Sequence, residues 1–186
     1  MPRLKVLFDA NVLYPAPLRD LLVQLALTDL FQGHWSAMIH AEWIRNVVAD
    51  RPDLNPAQIG RVADLMDSSV EDALITGFEH LIDTLELPDS NDRHVLAAAI
   101  VGGASIIVTD NQKDFPIAAL EAHGIMTQNA DDFVLMLIDI DLDAVLLAVN
   151  TVQKRLRRPS VTMLEYLNRL EQLRLHKTVD ALRKLL

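Results

Sequence analysis

The chain has 186 residues, 51% hydrophobic and 23% charged, a length and balance that suit one compact domain with at most a small appendage and exclude a disordered chain. Its 17 basic against 26 acidic residues give a formal charge of −9, so the overall field repels nucleic acid and counts against a binder driven by net charge alone. Zero cysteines exclude disulfides, thiolate zinc sites and cysteine nucleophiles, and fit a reducing compartment.

Leu4 to Phe8 is a short apolar run that reads as a buried strand ending at Asp9, and it is too short for the core of a signal peptide. Helix-period segments follow at 18–31, 37–49 and 56–68. Ala73 to Leu87 is ambiguous, since Ala-Leu-Ile-Thr suits a strand while Phe78, Leu81 and Ile82 have helical spacing. A helix over 92–102 closes on Gly102-Gly103 and leads into a second buried strand, 104–109, ending at Asp110. A helix over 115–122 and a short strand over 124–127 complete an alternation that implies a parallel α/β sheet. Past Asp132 the pattern is wholly helical, at 133–138, 144–156, 163–170 and near 179–186, with Pro159 marking a break and Ser160 a candidate cap. Asp139, Asp141 and Asp143 interrupt the apolar stretch 134–149, so no segment reaches the ~18 apolar residues of a membrane-spanning helix; the expectation is a soluble, cytoplasmic protein.

In such sheets ligands collect beyond the carboxyl ends of the strands, where Asp9 and the segment Asp110 to Asp114 fall. Glu42 shares a helix face with Met38 and Arg45, and Asp92 opens the 92–102 helix. Each has a plain structural alternative: a turn aspartate, a solvated glutamate, a helix-start charge with Asp89 or Ser90 as cap, and a polar loop. Taken together, carboxylates drawn from distant segments suit a hard divalent cation such as Mg²⁺ or Mn²⁺, and bound ions would reverse the local sign of a negative chain.

The segments Leu-Phe-Asp-Ala-Asn-Val-Leu, the glutamate helix, Asp-Arg-His-Val-Leu-Ala-Ala-Ala with Gly-Gly-Ala, and Val-Thr-Asp-Asn-Gln-Lys-Asp-Phe-Pro resemble, in order and spacing, the PIN domain, the ribonuclease fold that includes VapC-type toxins. The resemblance runs over about residues 4–138. It implies a three-layer fold with a mainly parallel sheet between helices, followed by a C-terminal helical extension, with a nuclease domain at 1–138 and the extension at 139–186. It also implies a Mg²⁺ or Mn²⁺ site, an RNA substrate, a small antitoxin partner and a homodimer. Carried over by position, Asp9, Glu42, Asp92 and Asp114 are the catalytic and metal-binding residues, with Asn11, Thr109, Asp110 and Asn111 in support. Which of Asp110, Asn111 and Asp114 faces the metal stays open. Asp9→Asn should then abolish cleavage and spare the fold, because removing one of several crowded charges relieves repulsion.

Candidate RNA contacts are Arg45, Arg93 and the run Lys154, Arg155, Arg157 and Arg158, for which a basic helix end is the structural alternative. Trp35, Trp43, His40 and His94 read as structural residues. Two rival readings remain. A phosphatase of the haloacid dehalogenase type fits poorly, because its second aspartate is Asn11 here. A degenerate PIN fold that binds RNA or a protein without cleavage is the other.

Overall fold

The computed structural model describes residues 3–185. Its centre is a parallel sheet of β1 (Leu4–Phe8), β2 (Phe31–Ser36), β3 (Leu74–Ile75), β4 (Ile106–Val108) and β5 (Met126–Gln128), in the order β3-β2-β1-β4-β5. The apolar runs predicted at 4–8, 104–109 and 124–127 are thus strands, and the ambiguous Leu74–Ile75 is a two-residue edge strand. The expectation that missed is β2. The segment Phe-Gln-Gly-His-Trp-Ser alternates Phe31, Gly33 and Trp35 with polar residues, but the central glycine weakens it as a strand signal and its first residue falls at the end of the preceding predicted helix. Tertiary packing explains the glycine: a Cβ on Gly33 would lie 3.0 Å from Ala26 Cβ and 3.2 Å from the Phe8 ring.

Between the strands run α1 (Ala10–Leu13), α2 (Ala16–Ala26), α3 (Ala37–Asp50), α4 (Pro56–Ser69), α5 (Glu79–Ile82), α6 (Arg93–Gly102) and α7 (Ile117–Glu121). The chain winds outward from β1 to β2 to β3, then crosses back by α6 to place β4 on the other side of β1. Right-handed crossovers in opposite directions put their helices on opposite faces of the sheet, which produces the three layers. Gly103 ends α6 in the left-handed conformation, with φ 66°, as the Gly-Gly pair predicted.

The C-terminal region is helical as expected, with α8 (Ala130–Ile140), α9 (Leu142–Arg155), α10 (Met163–Gln172) and α11 (His176–Arg183); Leu186, the last residue of the predicted final helix, lies outside the described residues. Thr162, and not Ser160, caps α10, because its hydroxyl accepts from the Glu165 amide while Glu165 returns a bond to the Thr162 amide. Val145, Ala148, Val149 and Val152 form the buried stripe of α9, at the same spacing as Leu18, Leu21, Leu22 and Leu25 on α2, and the two helices pack together. Phe133 of α8 meets Phe8 and Phe31 edge-on, at ring separations of 5.9 and 5.1 Å. The buried residues of sheet and C-terminal helices therefore form one hydrophobic core. Among the described residues no helix is long and apolar enough to cross a membrane.

Candidate active site

The sheet order reverses beside β1, between β2 and β4, and the crevice at that switch point is where α/β folds bind ligands. Parallel pairing of Phe8 with Val108 brings the next residues, Asp9 and Thr109, side by side although 100 positions separate them. Asp9 is almost fully buried, and its carboxylate is held by three donors: the Ala10 amide at 2.7 Å, the Asn11 side chain at 2.7 Å and the Thr109 hydroxyl at 2.7 Å. Thr109 Oγ1 also accepts from Asn11 Nδ2 at 2.9 Å and from the Asn111 amide at 3.0 Å. Asn11 Oδ1 accepts from the Asp110 amide at 3.0 Å, so Asn11 ties the end of β1 to the loop after β4.

A cleft of about 860 Å³ opens over this corner, and its lining includes Asp9, Glu42, Arg45, Asp92, His94 and Asp110. Met38, Glu42 and Arg45 reach it from one face of α3, as their spacing predicted. Glu42 Oε2 lies 3.1 Å from His94 Nε2, a partner at the second residue of α6 that was expected to be structural. Asp92 stands at the N-cap of α6, while Asp89 caps the preceding 3-10 turn by accepting from the Asn91 amide at 2.8 Å. Asp110 and Asn111 both line the cleft, whereas Asp114 does not: it accepts from Asn111 Nδ2 just behind that lining and acts on Asp92 by its charge.

Asp92 carries the clearest electrostatic signature. Burial raises its pKa, and the neighbouring charges of Asp9, Asp89, Asp114 and Glu42 push it further, to about 7. Its Oδ2 is buried without a hydrogen-bond partner. Burial also raises the pKa of Asp9, although the bonds from Thr109 and Ala10 oppose the shift. An orphaned carboxylate oxygen among mutually repelling carboxylates is a donor set that fits a hard divalent cation. Among the described residues the carboxylates are not closed into a ready-made cage of three ligands.

Not every predicted residue comes to the cleft. Arg93, half-buried with its Nε unpartnered, does not line it. Arg155 borders a separate groove with Arg19 and Leu65, while Arg157 and Arg158 border another with Arg169; Lys154 lines neither these nor the cleft and lies in the last turn of α9. Trp35 and Trp43 are fully buried and donate to Asp67 at 2.6 Å and to His40 at 2.9 Å, so they are core residues, as expected.

A family model described as a PIN domain matches residues 5–113. The chain belongs to the PIN domain family. Within this PIN protein a second model, described as the VapC50 C-terminal domain, matches residues 130–184, which are α8 to α11. A stretch of 49 residues is 49% identical to the "Putative ribonuclease VapC50" of Mycobacterium tuberculosis (strain ATCC 25618 / H37Rv), covering 26% of this chain and 29% of that protein. The alignment therefore spans under a third of that relative.

Proposed function

We propose that this PIN protein is a metal-dependent endoribonuclease of the VapC type, the toxin of a bacterial toxin-antitoxin pair. The observation that carries the reading is Asp92 Oδ2, buried and unpartnered at the mouth of the switch-point crevice and surrounded by Asp9, Glu42 and Asp114. The relative with which it shares a segment bears the printed name of a ribonuclease.

In this reading Asp9 and Asp92 would hold a Mg²⁺ or Mn²⁺ ion, with Glu42 and Asp114 completing the set. Such an ion, when bound, lowers the pKa of a water and offsets charge on a phosphate oxygen. The rest is the work of the chain. Thr109 and Asn11 fix the rotamer of Asp9, His94 orients Glu42, and Asn111 positions Asp114. Asn11 cannot be a general acid, since its amide is committed to Asp9, Thr109 and the Asp110 backbone; this disfavours the phosphatase reading. The division into a nuclease unit at 1–138 and a helical extension at 139–186, a cytoplasmic location, a small antitoxin and a homodimer belong to the same proposal.

The structure alters the choice of inactivating variant. Asp9 accepts three hydrogen bonds, so an asparagine there replaces an acceptor by a donor facing other donors. Asp92→Asn removes a charge where Oδ2 has no partner to lose. The test is cleavage of total cellular RNA by purified protein with Mg²⁺ or Mn²⁺, alongside Asp92→Asn and EDTA. Cleavage lost in both controls is the expected result; cleavage that survives Asp92→Asn and EDTA would overturn the assignment.

A further inference from the structure

The acidic cleft needs cations to hold an anionic polymer, and the most basic run of the sequence, Lys154 to Arg158, does not reach it. A second depression, of about 240 Å³, adjoins the cleft through a shared wall at Asp110. Its other side is built by the C-terminal helices, and the lining includes Gln112, Asn129, Asp131, Arg174 and Lys177.

Arg174 occupies the corner between α10 and α11 with φ 70°, a left-handed conformation that glycine ordinarily supplies at the end of a helix. The corner is rigid. Leu175, the next residue, is fully buried, and its amide donates to Leu170 O at 3.1 Å. The start of α11 is fastened by Asp131, which accepts from the amides of Lys177 at 2.9 Å and Thr178 at 2.8 Å. Asp131 is thus fully engaged and Lys177 Nζ is paired with Asp132 at 2.6 Å, whereas the exposed Arg174 guanidinium makes no hydrogen bond or ion pair among the described residues. Its charge does act on Asp110 across the depression.

From this arrangement we infer that Arg174, backed by Lys177, is a subsite for an RNA backbone phosphate beside the cleavage centre. The C-terminal helices are therefore part of the substrate track. Arg45 lines the cleft itself and Arg174 the depression that shares Asp110 with it, so each of the two adjoining spaces carries a cation. A guanidinium with all its donors free is suited to a phosphate in a way that the paired Lys177 ammonium is not. The inference rests on the ribonuclease reading for its substrate.

The test measures equilibrium binding of a fluorescein-labelled 20-nucleotide single-stranded RNA of mixed sequence to full-length protein carrying Asp92→Asn, with and without Arg174→Gln or Arg174→Gly. Wild-type cleavage of the same RNA with Mg²⁺ or Mn²⁺ is followed in parallel. Each Arg174 change should weaken binding about tenfold and lower the slope of log K against log salt by about one, while Arg157→Gln changes neither. In the cleaving background Arg174→Gln should raise KM and leave kcat within about twofold. Arg174→Gly relieves the backbone, so its Tm should rise by a few degrees as RNA binding falls, a divergence that a merely structural role for Arg174 would not give. Unchanged affinity and salt slope in both variants, with wild-type cleavage intact, would overturn the subsite and leave the ribonuclease reading standing. Neither binding nor cleavage by the wild type would overturn both. Weakened binding of a polyglutamate probe, with RNA affinity unaltered, would assign the corner to an acidic protein segment and overturn it as well.

Discussion

Replacing Asp92 by asparagine should stabilise the metal-free protein, and by an amount that depends on pH. Asp92 titrates at about 7 in the folded chain against its ordinary 3.8, first because burial disfavours its charge and then because Asp9, Asp89, Asp114 and Glu42 repel it. Below pH ~4 both folded and unfolded chains hold the proton, so the site costs nothing. Between ~4 and ~7 the unfolded chain ionises first, and folded stability falls by up to ~1.4 kcal/mol per pH unit; above ~7 the loss is complete and constant. A shift of roughly three units corresponds to ~4 kcal/mol without screening, and partial exposure of the side chain reduces this to about 2 kcal/mol. In EDTA, Asp92→Asn should therefore melt at the same temperature as wild type near pH 4 and about 4–8 °C higher at pH 8. Added Mg²⁺ or Mn²⁺ should raise the wild-type Tm and barely move the variant. Thermal unfolding of both proteins followed by circular dichroism at both pH values, with and without metal, supplies the eight melting temperatures. An equal difference at pH 4 and 8, or a variant less stable than wild type at pH 8, would refute the electrostatic account of this corner.

Thr109→Val keeps the volume but removes the donor to Asp9 and the acceptor for Asn11 and Asn111. It should cost about 2–3 kcal/mol in urea unfolding and lower kcat at least tenfold, with Thr109→Ser restoring most of both. Asp131→Ala strips the carboxylate from the amides of Lys177 and Thr178, and should cost about 2–4 kcal/mol while exposing the α10–α11 corner to limited proteolysis. Wild-type protection of that corner in the variant would mean that apolar packing alone fastens it.

What the sequence made legible was the part governed by local chemistry. The runs Leu4 to Phe8 and Ile106 to Val108 are apolar because both faces of a parallel strand are covered, and the acids that follow them lie at the sheet's carboxyl edge. The face shared by Met38, Glu42 and Arg45 follows from helical spacing alone. β2 was missed although Phe31, Gly33 and Trp35 alternate with Gln32, His34 and Ser36, because a glycine sits at the centre of the run; Gly33 is there for the approach of Ala26 and Phe8, which only the packed fold reveals. Thr162 in place of Ser160 could have been read, since Thr-Met-Leu-Glu has the spacing of a capping box. The pairing of His94 with Glu42, the placing of Asp110 and Asn111 but not Asp114 in the cleft wall, and the arrival of Arg174 beside the cleft depend on how distant segments cross. No local pattern announces them.

The bond between Thr109 and Asp9 has a consequence for the order in which the protein is made. A chain emerging from the ribosome presents Asp9, Glu42 and Asp92 in turn, and β1, β2 and β3 can begin to associate, yet the third bond that holds Asp9 forms only when β4 slides in on the other side of β1. The core behind β1 and β2 then awaits Phe133 of α8, whose Asp131 in turn takes up the first amides of α11. The winding of the sheet thus acts as an assembly clock: the corner that gathers these carboxylates closes only after segments a hundred residues apart have met.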